Sequence, residues 1–336
     1  MSGPETCASG ELRPEDITIA VTVYSRRGFI LGAIRSALDQ TVPVKVIVVE
    51  DCGPDHGLRD FVNREFGTRL DYYRNSINRG LFDNWNACLD YCHTPWISIL
   101  HDDDLLRPCF IETMLNLAKS APGRALYFGR SAVISGDRVT RPPVVSWPGD
   151  WRDLDVGELA DENPVLFPGH IMNVESARAA GGFKAASYFT GDWDMWFKLA
   201  LRFGASLSAV DVAVGRSHFG MDRGTTRVEQ KGWKWALDNA QRKRNLALLR
   251  REKNIVIRFD REKLLRTSPI PSLQLLRYVD EFSDRILRYN AWLFVRSKPP
   301  HLMYAGLQWL VRLFGPQSLR FLARLPMVNR FRAPAA

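Results

Sequence analysis

The chain is 336 residues long and 46% hydrophobic, and it carries 46 Lys and Arg against 37 Asp and Glu, a net charge of +9. That length and composition suit one large folded domain with an appendage and exclude a disordered or fibrous chain. The lack of any run of about 18 apolar residues excludes a membrane-spanning helix, and the first ~14 residues have neither the basic start nor the apolar core of a secretory leader.

Four apolar segments predict strands at Ile17–Val23, Val44–Val49, Leu70–Tyr73 and Trp96–Leu100, starting 27, 26 and 26 residues apart. Helical spacing fills the gaps: Phe29, Ile30, Ile34 and Leu38, then Phe61, Val62 and Phe66, then Leu81, Trp85, Cys88 and Leu89. Strands alternating with helices of this length predict an α/β fold with a mostly parallel, Rossmann-like sheet flanked by helices. Such open sheets bind ligands beyond the carboxyl ends of their strands. The polar stretches there are Thr22-Val23-Tyr24-Ser25, Glu50-Asp51-Cys52-Gly53, Asn75 to Gly80, and the triplet Asp102-Asp103-Asp104, so all four are expected on one rim. No G-x-G-x-x-G follows the first strand and no G-x-x-x-x-G-K-[ST] loop occurs, which argues against NAD, FAD and an NTPase-type phosphate loop.

Three acids at a strand end repel one another, and burial raises that cost unless a cation sits among them. Hard divalent ions take carboxylate oxygens and complete their shell with substrate phosphates. The triplet therefore points to Mn²⁺ or Mg²⁺ and, through it, a diphosphate. The plain alternative is a solvated acidic loop or a helix start.

Further along, Gly181-Gly182-Phe183 signals a turn and Gly191 frees the backbone before Asp192. Trp193, Trp196, Leu199, Ala200 and Phe203 then predict a helix over Trp193–Phe203, for which Asp192 could be the amino-terminal cap. An alternating strand, Leu207 to Val214, precedes Arg216-Ser217-His218-Phe219, and Arg223 and Arg227 follow as candidate phosphate clamps or ordinary soluble loop residues. Five cysteines (Cys7, Cys52, Cys88, Cys92 and Cys109) show neither zinc nor disulfide spacing, which suits a reducing cytoplasm, with Cys88 and Cys92 as buried thiols on one helix face.

Asp284 is the last acid. Nine Lys or Arg residues follow it, so the remaining 37 cations balance the 37 acids of the body and the whole excess lies in the tail. There Leu275, Val279, Phe282, Ile286, Tyr289 and Leu293, and beyond Pro299-Pro300 the set Leu302, Met303, Leu307, Leu310, Val311 and Phe314, predict amphipathic helices. Arginine and aromatic residues without acids on such helices suit an anionic membrane surface. The alternative is a helical cap on the main domain that dimerises through its seam. Nucleic acid is not expected as a partner, because the cations are diluted among leucines and tryptophans.

Four stretches in order, ITIAVTVYSRRGFILGAIRSALDQT, VKVIVVEDCGPD, NSINRGLFDNWNACLDYCHTPWISILHDDDLLRP and GGFKAASYFTGDWDMWFKLAL, make residues 15 to 220 resemble the glycosyltransferase family 2 group of GT-A enzymes. The resemblance implies a catalytic domain over residues 15–228 and a helical carboxyl-terminal region over 229–336, basic and amphipathic from about 270. It implies an inverting transfer from a nucleotide-diphosphate sugar (UDP-, GDP- or dTDP-linked) to a glycan or lipid-linked glycan acceptor. Thr22, Tyr24, Asp51, Asn84, Asp102 and Asp103 would bind the nucleotide; Asp102, Asp104 and the late histidine His218 would bind the metal. The chain departs from the family at Leu81-Phe82-Asp83-Asn84, where many relatives carry an Arg and Asn pair, and at Gly191-Asp192, where they carry Glu-Asp.

Such a transfer needs a cation on the departing diphosphate and a carboxylate to take the acceptor's proton. The triplet suits the first task. Asp192 suits the second, with Asp194 and Trp193 contacting the acceptor. Rival readings are a nucleotidyltransferase making nucleotide sugars, for which Thr22-Val23-Tyr24-Ser25 lacks the expected Gly-rich start, and a non-catalytic scaffold docked through its tail. The expected location is the cytoplasm, peripheral at the inner face of the membrane.

Overall fold

A computed structural model describes residues 11–135, 138–140, 147–184, 190–217 and 233–253, with a few further positions between 309 and 318. It forms two compact units, Met1–Phe219 and Gly220–Ala336. His218, Arg223, Arg227 and most of the tail lie outside the described residues.

In the first unit, β1 (Ile17–Val23) is buried along its whole length, as expected for a β-branched run in the middle of a sheet. Helix α1 (Arg27–Leu38) covers it with Ile30, Ala33, Ile34 and Ala37. Then come β2 (Lys45–Glu50), α2 (Leu58–Phe66), β3 (Asp71–Arg74), α3 (Leu81–Tyr91) and β4 (Trp96–His101). The expected faces hold for Val62 and Phe66 and for Trp85, Cys88 and Leu89, while Leu81 instead stands exposed at the rim. Each buried Ile, Leu or Phe contributes about 1.5–3 kcal/mol.

These strands pair in parallel in the order β3-β2-β1-β4, so the sheet order reverses between β1 and β4 and opens a crevice at their carboxyl ends. The second half of the sheet is mixed: β9 (His170–Asn173) is antiparallel to β4 and to β6 (Leu126–Ser135), while β10 (Ala205–Ser217) runs parallel to β6. Short antiparallel pieces complete it: β5 (Leu105–Leu106), β7 (Arg138–Thr140) and β8 (Trp151–Asp153). Directly after the triplet, β5 pairs with Ala213 and Val214 of β10, which carries a residue more than a hundred positions away onto the acids. Three helices pack alongside: α4 (Phe110–Ser120), α5 (Val156–Asp161) and α6 (Val174–Ala179), followed by α7 (Gly191–Phe203).

The second unit contains α8 (Trp233–Lys253), in which Gln241, Asn245 and Leu249 are buried. No helix among the described residues is long and apolar enough to cross a membrane.

Candidate active site

The ends of β1 and β2 are laced together. The Asp51 N–H donates to the Val23 carbonyl at 2.9 Å. A Cβ on Gly53 would lie 1.7 Å from the Tyr24 carbonyl oxygen, so only glycine lets these loops approach. Between them Cys52 takes a positive φ of 49°, unusual for a residue with a side chain. Glu50 is fully buried and accepts from the Tyr72 hydroxyl at 2.8 Å, the Gly53 N–H at 3.2 Å and the Arg74 guanidinium. Asp51 accepts from Asn75 Nδ2 at 3.0 Å, the Arg79 N–H at 2.8 Å and the Gly80 N–H at 2.8 Å. Its carboxylate therefore pins the 75–80 loop. Asn75 also donates to Asn84 Oδ1 at 2.9 Å, so Asn84 is drawn into the same buried network. Thr22 is buried, its hydroxyl donating to the Leu100 carbonyl at 3.4 Å. Tyr24, Ile77 and Leu81 expose large side chains along this edge.

The β4 end is different in kind. Asp102, Asp103 and Asp104 are each no more than 7% exposed, three carboxylates on consecutive residues. Arg26, from the turn between β1 and α1, sends Nη1 to Asp102 Oδ1 at 3.0 Å and onto Asp103 Oδ2. Arg216, at the end of β10, donates its N–H to Asp104 Oδ1 at 2.8 Å and its Nε to the Asp103 carbonyl at 3.3 Å. Its guanidinium lies 5.0 Å from the Phe29 ring centre. His101 Nδ1 lies 3.3 Å from Asp104 Oδ2. Burial by itself would lower the His101 imidazole, but the hydrogen bond and charge of Asp104, with Asp103 and Asp102 behind, raise it above its ordinary value. Burial pushes the Asp102 carboxyl up to about 7, with Arg26 opposing and Asp103 adding to the rise. Ligand atoms of His101, Asp103 and Asp104 all fall within 4.8 Å of one another, a convergence fit for a cation.

An aromatic cluster ties this end to α7. His101 stacks on Phe167 at 4.2 Å and on Trp85 at 5.5 Å, Phe82 meets Trp85 edge-on at 5.1 Å, and Phe167 continues to Trp196 at 6.0 Å. A Cβ on Gly191 would sit 2.1 Å from the Phe82 ring, so glycine there sets how closely α7 approaches. The helix starts at Gly191 with Thr190 in the cap position, which makes Asp192 a first-turn residue and not the cap. Asp192 is partly exposed and accepts from Asn163 Nδ2 at 3.4 Å.

Two residues expected to meet an acceptor are placed elsewhere. Trp193 is 3% exposed and donates its indole N–H to the Leu159 carbonyl at 2.6 Å, anchoring α7 to α5. Asp194 is buried and paired with Lys198 one turn on. The structure also brings in residues the motifs did not single out: Arg26, Arg216 as a triplet partner, His101 and Asn163. Arg26 and His101 adjoin motif residues in sequence, and a demand for counter-charge beside three acids would have drawn attention to them.

A glycosyl transferase family 2 model matches residues 18–178. An uncharacterised protein of Mycobacterium tuberculosis is 27% identical over 235 residues, 63% of this chain and 70% of that protein. The succinoglycan biosynthesis protein ExoO of Rhizobium meliloti is 34% identical over 107 residues, 32% of this chain and 30% of ExoO, and an uncharacterised glycosyltransferase of Rickettsia felis is 25% identical over 63% of this chain and 35% of its own length. These last two matches thus span only about a third of the relatives' own lengths. Among solved structures, S. aureus TarS 1-349 with UDP-GlcNAc has a TM-score of 0.55 over 95% of this chain and 93% of that one, at 12% identity, a likeness of fold. The same fragment with UDP gives 0.54. The family match runs from the second residue of β1 into α6 and takes in the ends of β1 to β4 with the whole acid triplet: residues 18–178 form a glycosyl transferase family 2 domain, and the protein is a glycosyltransferase of GT-A fold.

Proposed function

We propose that the chain moves a sugar from a nucleotide-diphosphate sugar to an acceptor hydroxyl with inversion, in the building of cell-envelope or polysaccharide glycans. The observation that carries this reading is the buried run of three consecutive carboxylates at the crevice, where ligand atoms of His101, Asp103 and Asp104 converge within 4.8 Å. Carboxylate oxygens with one imidazole suit Mn²⁺ or Mg²⁺. Three buried, consecutive carboxylates repel one another, and a divalent ion among them would relieve that repulsion. His101, Asp103 and Asp104 would hold the ion, with Asp102 beside them. Once bound, it would stabilise the charge on the departing diphosphate, worth several kcal/mol.

The protein's own groups do the rest. Tyr24, exposed where the β1 and β2 loops meet, offers a ring for the nucleoside, with Ile77 and Leu81 as apolar edge. Asp51 and Asn84 act by holding the 75–80 loop that forms this edge. Asp192 takes the acceptor's proton, steadied by Asn163. Attack from the α7 side while diphosphate leaves on the triplet side is a single displacement, which inverts the anomeric carbon. Asp194 and Trp193 serve to fix α7 and so the position of Asp192.

UDP-sugars are the first donors to try, since the TarS fragment is known in complex with UDP and UDP-GlcNAc; GDP- and dTDP-sugars follow. Incubation with each donor and Mn²⁺ should give metal-dependent transfer or slow donor hydrolysis. Pyrophosphate release from a nucleoside triphosphate would instead favour nucleotide-sugar synthesis, and binding without turnover would favour a scaffold.

A lipid-linked acceptor would place the protein at a membrane. The nine cations and no acid beyond Asp284, and the exposed Trp309, Leu313 and Phe314, support peripheral docking of the tail on anionic lipid at the cytoplasmic face. Flotation of the intact chain with anionic vesicles, compared with a chain ending near Ser268, tests this; equal recovery in the soluble fraction discards it.

A further inference from the structure

Arg26 reaches the acid triplet from the neighbouring strand end, and Asp103 is claimed twice. Its Oδ2 pairs with Arg26 Nη1, and its carboxylate belongs to the convergent group with His101 and Asp104. The same Nη1 lies 3.0 Å from Asp102 Oδ1. The adjacent Arg27 is committed elsewhere, to Asp55 at 3.4 Å and over the Phe61 ring at 4.3 Å. Arg216 meets the triplet through its backbone N–H and a backbone carbonyl, with its guanidinium over Phe29. Arg26 is thus the guanidinium, among the described residues, that bridges two of the triplet's carboxylates. Its side chain is 32% exposed, against 7% for each of those carboxylates, so it lies at the solvent edge of the cluster.

Two cations that share one carboxylate oppose each other's binding, all the more where solvent is thin. A diphosphate changes the balance, because its oxygens match the fork of a guanidinium as well as a carboxylate does. We propose that Arg26 is a built-in competitor for the divalent ion and a ligand for the donor's diphosphate. On its own the protein binds the ion weakly; a nucleotide diphosphate draws Arg26 off Asp102 and Asp103, and ion and nucleotide then bind with positive coupling. That coupling is reciprocal, since each ligand must raise the other's affinity by the same factor. The inference rests on the metal-dependent reading given above and adds the order it imposes: the triplet is ready for its ion only when a donor is present.

Calorimetric titration of the full chain with Mn²⁺ alone, and with Mn²⁺ in the presence of UDP, GDP or dTDP, tests it on wild type, Arg26→Gln and Arg26→Lys. Arg26→Gln should bind Mn²⁺ alone at least about tenfold more tightly than wild type. It should also lose most of the gain in Mn²⁺ affinity that nucleotide gives wild type, about tenfold or more on the same reasoning. Arg26→Lys keeps a charge but not the two-oxygen bridge and should lie between; it carries the test if Arg26→Gln fails to fold. Equal Mn²⁺ affinity without nucleotide in all three proteins overturns the competition. Undiminished coupling in Arg26→Gln overturns the diphosphate role. No Mn²⁺ uptake by any of them, with or without nucleotide, overturns the metal-dependent reading and this inference with it.

Discussion

Two acid clusters share one rim and differ in a single respect. At the end of β2, Glu50 and Asp51 are both buried, yet each carboxylate has three donors inside the fold. At the end of β4, three consecutive carboxylates converge with the His101 imidazole, Arg26 bridges two of them, and the Asp102 carboxyl rises to about 7. Internal satisfaction marks architecture. Buried acids that converge on one another are held ready for a cation from outside, and removing one should affect the two functions of the rim in opposite ways.

The largest separation is expected from Asp104→Asn. Loss of a charge facing the diphosphate should cost transfer about 10³-fold or more, while the melting temperature of the metal-free protein holds or rises, because like charges have been thinned. A fall in both together would place Asp104 with the architectural acids. Asp192→Asn comes next: kcat should drop about 10²-fold or more with Mn²⁺ and nucleotide affinities unchanged. Retained turnover would remove Asp192 as the base. At the other cluster, Asp51→Ala removes one of the two acceptors of the buried Asn75 amide and the acceptor of two backbone N–H groups. It should lower stability by about 1–3 kcal/mol in denaturant unfolding, and nucleotide affinity should fall because the 75–80 loop is loosened. Unchanged stability with lost nucleotide binding would assign Asp51 to direct contact with the nucleotide.

The contrast between the clusters was out of reach of the sequence, although the rim was not. A period of 26–27 residues places β1 to β4 to within one residue at most of their starts and puts four polar stretches at one edge. What a linear reading lacks is partnership. Glu50-Asp51 and Asp102-Asp103-Asp104 look alike as acids after apolar strands; only the fold shows that the 75–80 loop closes over the first pair. Arg216 reaches Asp104 because β5 turns back along β10, a pairing with no local signal. Trp193 misled for the opposite reason: its place beside Asp192 in sequence suggests a shared surface, but successive residues on a helix point about 100° apart, and the indole faces α5.

A third buried titratable group beneath the rim gives the smallest effect and a control for the other measurements. His170 is fully buried, with Nδ1 2.7 Å from the Phe167 carbonyl oxygen and its ring 4.5 Å from that of Trp196. Nδ1 therefore carries the proton and donates. Burial lowers the imidazole to about 4, the Phe167 bond partly opposing and His101 adding to the fall. The unfolded chain takes up this proton near pH 6.5 and the folded protein only near 4, so the unfolded state holds more protons between those values and stability falls as pH drops through that window. Between pH 7.5 and 5.5 the loss from this one group is about 1 kcal/mol. His170→Asn keeps an amide in the place of Nδ1 and has nothing to titrate. Its stability should be flatter over the same interval by that amount, read as the difference between the two proteins' urea-unfolding free energies at each pH. A parallel decline in both would assign the acid sensitivity to groups other than this imidazole.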